Sequence, residues 1–99
     1  MNCTRTDVDG ESKLRIVGAL DSLTVREIRP IIDALVADRP RRVKVDFGEL
    51  TLLDSSGVGA VVSLFKRVKA DGGEVVVVGA RDQPLAVLKL LKLDRVFGL

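Results

Sequence analysis

Hydrophobic residues recur along the chain with two periods. Short runs alternate with charge or stay apolar for about four residues, and between them lie longer stretches with apolar positions every three or four residues. Residues 13–20 set Leu14 and Ile16 between charged neighbours, as in a strand with one wet face. Residues 3–8 can pair with it as an edge strand, through the polar hairpin turn Asp9-Gly10-Glu11-Ser12. Residues 21–38 carry Val25, Ile28, Ile31, Ile32, Leu35 and Val36 at helical spacing. Thr24 followed by Glu27 fits a capping box at the start of that helix. Pro30 lies too deep in it to be harmless, so it should cost a hydrogen bond or bend the helix.

Residues 41–47 predict another strand, with Val43, Val45 and Phe47 on one side. Residues 48–53 continue as a loop or a short extension. Asp54-Ser55-Ser56-Gly57 then interrupts the pattern, and residues 58–70 predict a helix. Its inward positions are Val58, Val61, Val62, Phe65 and Val68, with Lys66, Arg67 and Lys69 outward. Asp71-Gly72-Gly73 stops it, one glycine taking the left-handed cap position. The consecutive valines of residues 74–79 predict a strand covered on both faces. Residues 82–91 predict a third helix, capped by Asp82, with Pro84 in its first turn and Leu85, Leu88 and Leu91 inward. Residues 96–99 either add a short final strand or dock. The order β-β-α-β-α-β-α predicts an α/β fold in a single domain over residues 1–99. One mixed sheet, right-handed crossovers and helices mainly on one face are expected.

Composition narrows the chemistry. Hydrophobic residues make up 46% and charged residues 30%, the balance of a folded soluble chain. With three Phe and no Tyr or Trp, the core must be aliphatic. A net charge of +2 does not suggest a nucleic-acid surface. The basic groups at 39–44 and at Lys66, Arg67 and Lys69 read as solvated surface. No histidine is present, and Cys3 is the one cysteine. This removes Cys/His zinc sites, histidine acid–base chemistry and an internal disulfide, and it suits a reducing compartment. Acidic residues are not spaced for metal or glycosidic chemistry. No metal or other cofactor is expected, nor is catalysis. The first residues lack the apolar run of a signal peptide, and no segment is apolar enough to insert into a membrane.

The strongest local candidate is Leu53-Asp54-Ser55-Ser56-Gly57-Val58-Gly59, where a strand's carboxyl end becomes a helix amino terminus. Two readings stay open on spacing. Asp54, Ser55 or Ser56 simply caps the helix, or Ser56, at or beside the cap, carries an anion on the helix's positive end. Gly57 and Gly59 suggest close backbone approach, since each costs about 1 kcal/mol in a helix against alanine. The segment is no Walker motif, and Ser56 has no histidine to activate it as a nucleophile. Asp21, in Gly18-Ala19-Leu20-Asp21, reads as a turn or cap residue, or as part of one binding face shared with the Asp54–Ser56 loop. Leucines are dense over 88–97, where Leu90 or Leu93 is available to a partner if exposed.

With these residues in view, the chain resembles the STAS family, which includes bacterial anti-sigma factor antagonists and cytoplasmic domains of some anion transporters. The resemblance rests on Asp54-Ser55-Ser56-Gly57-Val58-Gly59, on Gly18-Ala19-Leu20-Asp21 and on Leu93-Asp94-Arg95-Val96-Phe97, and it covers about residues 13–97. It implies a phosphoacceptor at Ser56 and a cytoplasmic regulator that is not an enzyme. The implied partners are an anti-sigma factor with a histidine-kinase-like ATPase fold, which binds the unmodified form and phosphorylates Ser56, and a PP2C-type serine phosphatase. Asp21, Asp54, Ser55, Ser56, Gly57 and Val58 are the implied partner-binding residues. The alternative is a STAS subunit of another partner-switching pathway or of a lipid-transport ABC complex. A free-standing unit is expected rather than a fused transporter domain.

Overall fold

A computed structural model describes residues 1–99. Its elements are β1 (Asn2–Val8), β2 (Glu11–Leu20), α1 (Val25–Ala37), β3 (Arg42–Asp46), β4 (Leu50–Leu53), α2 (Ser55–Ala70), β5 (Glu74–Val78) and α3 (Asp82–Leu90). The main sheet order is β1-β2-β3-β5, with β1 antiparallel to β2 and the other pairs parallel. The hairpin closes on Asp9 and Gly10, both at positive φ, as a tight two-residue turn requires.

The register explains the one-sided core. Leu14, Val45 and Val77 lie in line across the sheet, as do Ser12, Val43 and Val75, and all six are buried. The intervening row of Lys13, Lys44 and Val76 is on the opposite face, where both lysines are exposed. A pleated strand sends alternate residues to opposite faces, so one face of this sheet is apolar and the other wet. β5 departs from the expected two-sided burial. Val75 and Val77 are buried, whereas Val76 and Val78 are only partly covered.

The β2 strand holds two partners along one edge. β3 pairs with its first half and β4 with its second, where the register shifts between Gly18 and Ala19. Of residues 48–53, the last four thus form a true strand after a two-residue turn. The outer edge of Leu53 is closed by a side chain: Leu53 N–H donates to Gln83 Oε1 at 2.8 Å, and Gln83 Nε2 donates to Leu53 O at 2.9 Å. One carboxamide from α3 satisfies both backbone groups as a neighbouring strand would.

Several helix ends differ from expectation. α1 begins at Val25, because residues 21–24 form a separate turn. Thr24 is its N-cap but makes no side-chain capping bond, so the capping box does not form. Pro30 lies inside α1 on the exposed side, where water can reach the carbonyl it leaves without a partner. α3 is preceded by Arg81 as N-cap, and Asp82 is its first residue. Leu91 follows α3 half exposed instead of facing inward, and Leu90 is 82% exposed. The C-terminal segment docks without forming a strand: Phe97 is fully buried and its carbonyl accepts from Val77 N–H at 2.9 Å.

Candidate functional site

The ends of β2, β4 and α2 converge on Asp54. Its backbone N–H donates to Leu20 O at 3.3 Å, and its own carbonyl accepts from Val58 N–H at 2.9 Å. Its extended backbone turns the strand into the helix, and Oδ1 accepts from Gly57 N–H at 2.9 Å. Asp54 is therefore the N-cap, and both serines lie inside the first turn of α2. The helix starts at Ser55, earlier than the expected 58, because an aspartate cap needs only the three residues that follow it.

The capping bond leaves the two serines in distinct settings. Ser55 is exposed and Ser56 half-buried, whereas Gly57 and Val58 are buried. The orphan amides of the first turn include those of Ser55 and Ser56, since Gly57 N–H is already held by Asp54. No acidic side chain follows in that turn, so within the cap and first turn the Asp54 carboxylate alone meets the positive end of α2, beside Ser56.

The same carboxylate reaches a second loop: Asp54 Oδ2 accepts from Ser22 N–H at 3.1 Å. Asp21 and Asp54 thus belong to one face, but by way of Ser22. Asp21 Oδ1 accepts from both Leu23 N–H and Thr24 N–H at 3.0 Å. Thr24 Oγ1 accepts from Asp21 N–H at 3.0 Å and donates to Ala19 O at 2.9 Å. Four consecutive residues are fixed in this way, and Leu23 projects from the turn 77% exposed. Asp21-Ser22-Leu23-Thr24 has the composition of an Asx turn, a signal that could have found it. Nothing local in the sequence announces the Ser22–Asp54 link or the Gln83 clamp.

Amides of Thr24 and then Leu23 hold the Asp21 carboxyl below its ordinary 3.8. Its stabilising contribution is complete above the unfolded value and is lost only as pH falls through the lower folded one. In an acid titration followed by NMR, the amide shifts of Leu23 and Thr24 should move with a midpoint below 3.8. A midpoint at or above that value would mean that Asp21 does not hold the turn.

The two glycines of the segment prove physically different. A Cβ on Gly57 would lie 2.5 Å from Leu20 O, 2.8 Å from Leu53 Cδ1 and 2.9 Å from Leu20 Cγ. This position is the close approach expected from the sequence. A Cβ on Gly59 would meet nothing within 4 Å. Gly59 is exposed, and packing gives no reason for a residue that costs about 1 kcal/mol in a helix.

Other chemistry is remote. Burial pushes the Cys3 thiol up to about 11, the opposite of an activated thiolate. A hollow of about 600 Å³ is lined by Phe65, Lys69, Arg95 and Val96 among others and includes none of the site residues. No helix is long and apolar enough to cross a membrane.

Comparison with known proteins places the family and the fold. Residues 4–99 match the STAS domain family. The anti-sigma-B factor antagonist of Staphylococcus aureus is 25% identical over 83 residues, which cover 84% of this chain and 77% of that protein. The crystal structure of an anti-sigma factor antagonist from Mycobacterium paratuberculosis superposes with a TM-score of 0.84 at 25% identity, covering 97% of this chain and 81% of that one. The Bacillus cell fate determinant SpoIIAA in its phosphorylated form has the same fold, with a TM-score of 0.78 at 23% identity over 96% of this chain and 87% of that one.

Proposed function

The chain belongs to the STAS domain family, and from that premise we propose that it is an anti-sigma factor antagonist switched by phosphorylation of Ser56. The observation that carries this reading is the cap. Asp54 already holds Gly57 N–H, so Ser56 is not required to start α2. It is nevertheless half exposed at the helix's positive end, beside a turn tied to the same aspartate. The relatives named as antagonists support the class of function, and SpoIIAA is known in a phosphorylated form.

In this reading the chain is substrate and competitor, not catalyst. A partner anti-sigma factor with a histidine-kinase-like ATPase fold binds the unmodified face in the cytoplasm and releases its sigma factor. That partner brings ATP. Ser56 Oγ attacks the γ-phosphorus, the new O–P bond forms as the bond to ADP breaks, and the hydroxyl proton passes to a base of the kinase. The antagonist has no histidine to take that proton, and each Asp54 oxygen is already engaged by a backbone N–H group. The phosphate adds about 1.5–2 negative charges close to Asp54, and the partner's surface no longer fits. A PP2C-type phosphatase hydrolyses the ester and restores the binding form.

The test is site mapping by mass spectrometry of protein from its source cell, with identification of the protein that co-purifies. Phosphate on Ser56 and a histidine-kinase-like ATPase on the unmodified form are expected. Ser56→Ala should retain that ATPase and lose phosphorylation, while Ser56→Asp should weaken binding about tenfold or more. Phosphate confined to Ser55, or a transport ATPase bound with no phosphate in any growth condition, would overturn the reading.

A further inference from the structure

We infer that the surface gripped by the anti-sigma partner extends from Ser56 onto two further positions, the bare flank of α2 at Gly59 and the apolar tip of the β2–α1 turn at Leu23. This inference rests on the function proposed above and specifies what the partner must present: an apolar socket for Leu23 and a closely fitting surface over Gly59.

Gly59 follows Ser56 by three positions and Ser55 by four, so it adjoins both serines on the helix surface. A Cβ there meets nothing in the chain. The fold would gain from alanine, yet glycine stands at that place. A missing side chain beside a phosphoacceptor leaves the serine hydroxyl unscreened and lets another backbone approach. At Gly57, by contrast, the chain's own packing accounts for the glycine in full.

Leu23 is an exposed leucine, and single exposed leucines are ordinary. Its setting is what distinguishes it. Leu90, comparably exposed, lies at the last residue of α3. Leu23 sits in a turn pinned by Asp21 Oδ1, by Thr24 Oγ1 and by the bond from Ser22 N–H to Asp54 Oδ2. An apolar side chain on a pre-ordered turn loses little entropy when a partner covers it. The bond to Asp54 makes the turn continuous with the start of α2, so a protein seated over Ser56 meets Leu23 on the same rigid face.

The experiment measures Kd for the co-purifying ATPase, loaded with nucleotide, against wild type, Leu23→Ala, Gly59→Ala, Gly59→Gln and Ser56→Asp, with the Tm of each chain. Gly59→Ala should melt about 4–8 °C above wild type, and Gly59→Gln should also melt above it. Gly59→Gln should nevertheless bind about tenfold or more weakly, because its side chain fills the flank. Leu23→Ala should keep the wild-type Tm and also lose about tenfold or more in affinity, the loss expected when a leucine can no longer be buried. Wild-type affinity in both Leu23→Ala and Gly59→Gln, with Ser56→Asp weakened, would overturn this inference and leave the Ser56 switch standing. No binding of any such ATPase to the unmodified wild type would overturn both.

Discussion

Phe97→Ala is expected to lower stability by about 3–5 kcal/mol and to release the C-terminal segment from the sheet. Phe97 is fully buried in a mainly aliphatic core that also holds Phe47, and its ring meets Phe65 edge-on, with centroids 5.6 Å apart at 87°. Such a pair adds about 0.5–1.5 kcal/mol beyond the area it buries. The backbone of Phe97 also serves the sheet, because its carbonyl accepts from Val77 N–H on the free edge of β5. Its own N–H donates to Leu93 O at 3.0 Å, so the whole closing turn is folded around the ring. Domains of this size hold about 5–15 kcal/mol in total, and the substitution should remove about a fifth or more of it. Urea denaturation should show a lower midpoint at an unchanged slope. A loss under about 1 kcal/mol would mean that the ring is not packed as described, since a buried phenylalanine cannot be truncated so cheaply.

Gly57→Ala should destabilise the chain by about 1–3 kcal/mol and disturb the site at the same time. Alanine favours a helix over glycine by about 1 kcal/mol, so propensity alone predicts the opposite sign. The added Cβ would stand 2.5 Å from Leu20 O, with two core leucine atoms within 2.9 Å. A flexible side chain could move aside, but Leu20 O belongs to the end of β2 and accepts the N–H of Asp54. The start of α2 must therefore move away from the sheet, which strains the Asp54 cap and carries Ser56 with it. Thermal melts of Gly57→Ala and Gly59→Ala should depart from wild type in opposite directions, although the two positions share one helix and are two residues apart. Phosphorylation of Ser56 by the partner kinase should be slower in Gly57→Ala. A Gly57→Ala chain that melts at or above wild type would refute the close approach.

The contrast between those glycines marks how far local reasoning reaches here. The sequence shows that both are costly in a helix, and it suggests one explanation for both. Only the packing of α2 against Leu20 and Leu53 separates a glycine the fold requires from one it does not. The same division holds at the cap. The Asp54-Ser55-Ser56-Gly57 spacing announces a helix start, but three residues compete for the cap. Asp54 takes it because β2 and β4 end side by side and aim its carboxylate at Gly57 N–H and Ser22 N–H together.

Period-two alternation in β2 and β3 and helical spacing in α1 and α2 were legible along the chain. Each reports which face of a single element avoids water, a property of neighbours a few residues apart. The expected single mixed sheet follows from them and matches the strand pairing observed. Other features depended on groups distant in sequence. The β4 strand forms because β2 is long enough to pair twice and Gln83 closes the outer edge. The second valine face of β5 stays partly open because it belongs to the sheet face that carries the exposed Lys13 and Lys44, and the C-terminal segment docks at the edge of β5 without adding a strand. Leu23 beside the start of α2 is the clearest case. Its turn is written in Asp21 and Thr24, but its place in the site depends on one hydrogen bond between residues 32 positions apart. Periodicity is a local property and cannot encode such a contact, which exists only once the ends of β2 and β4 have been brought together.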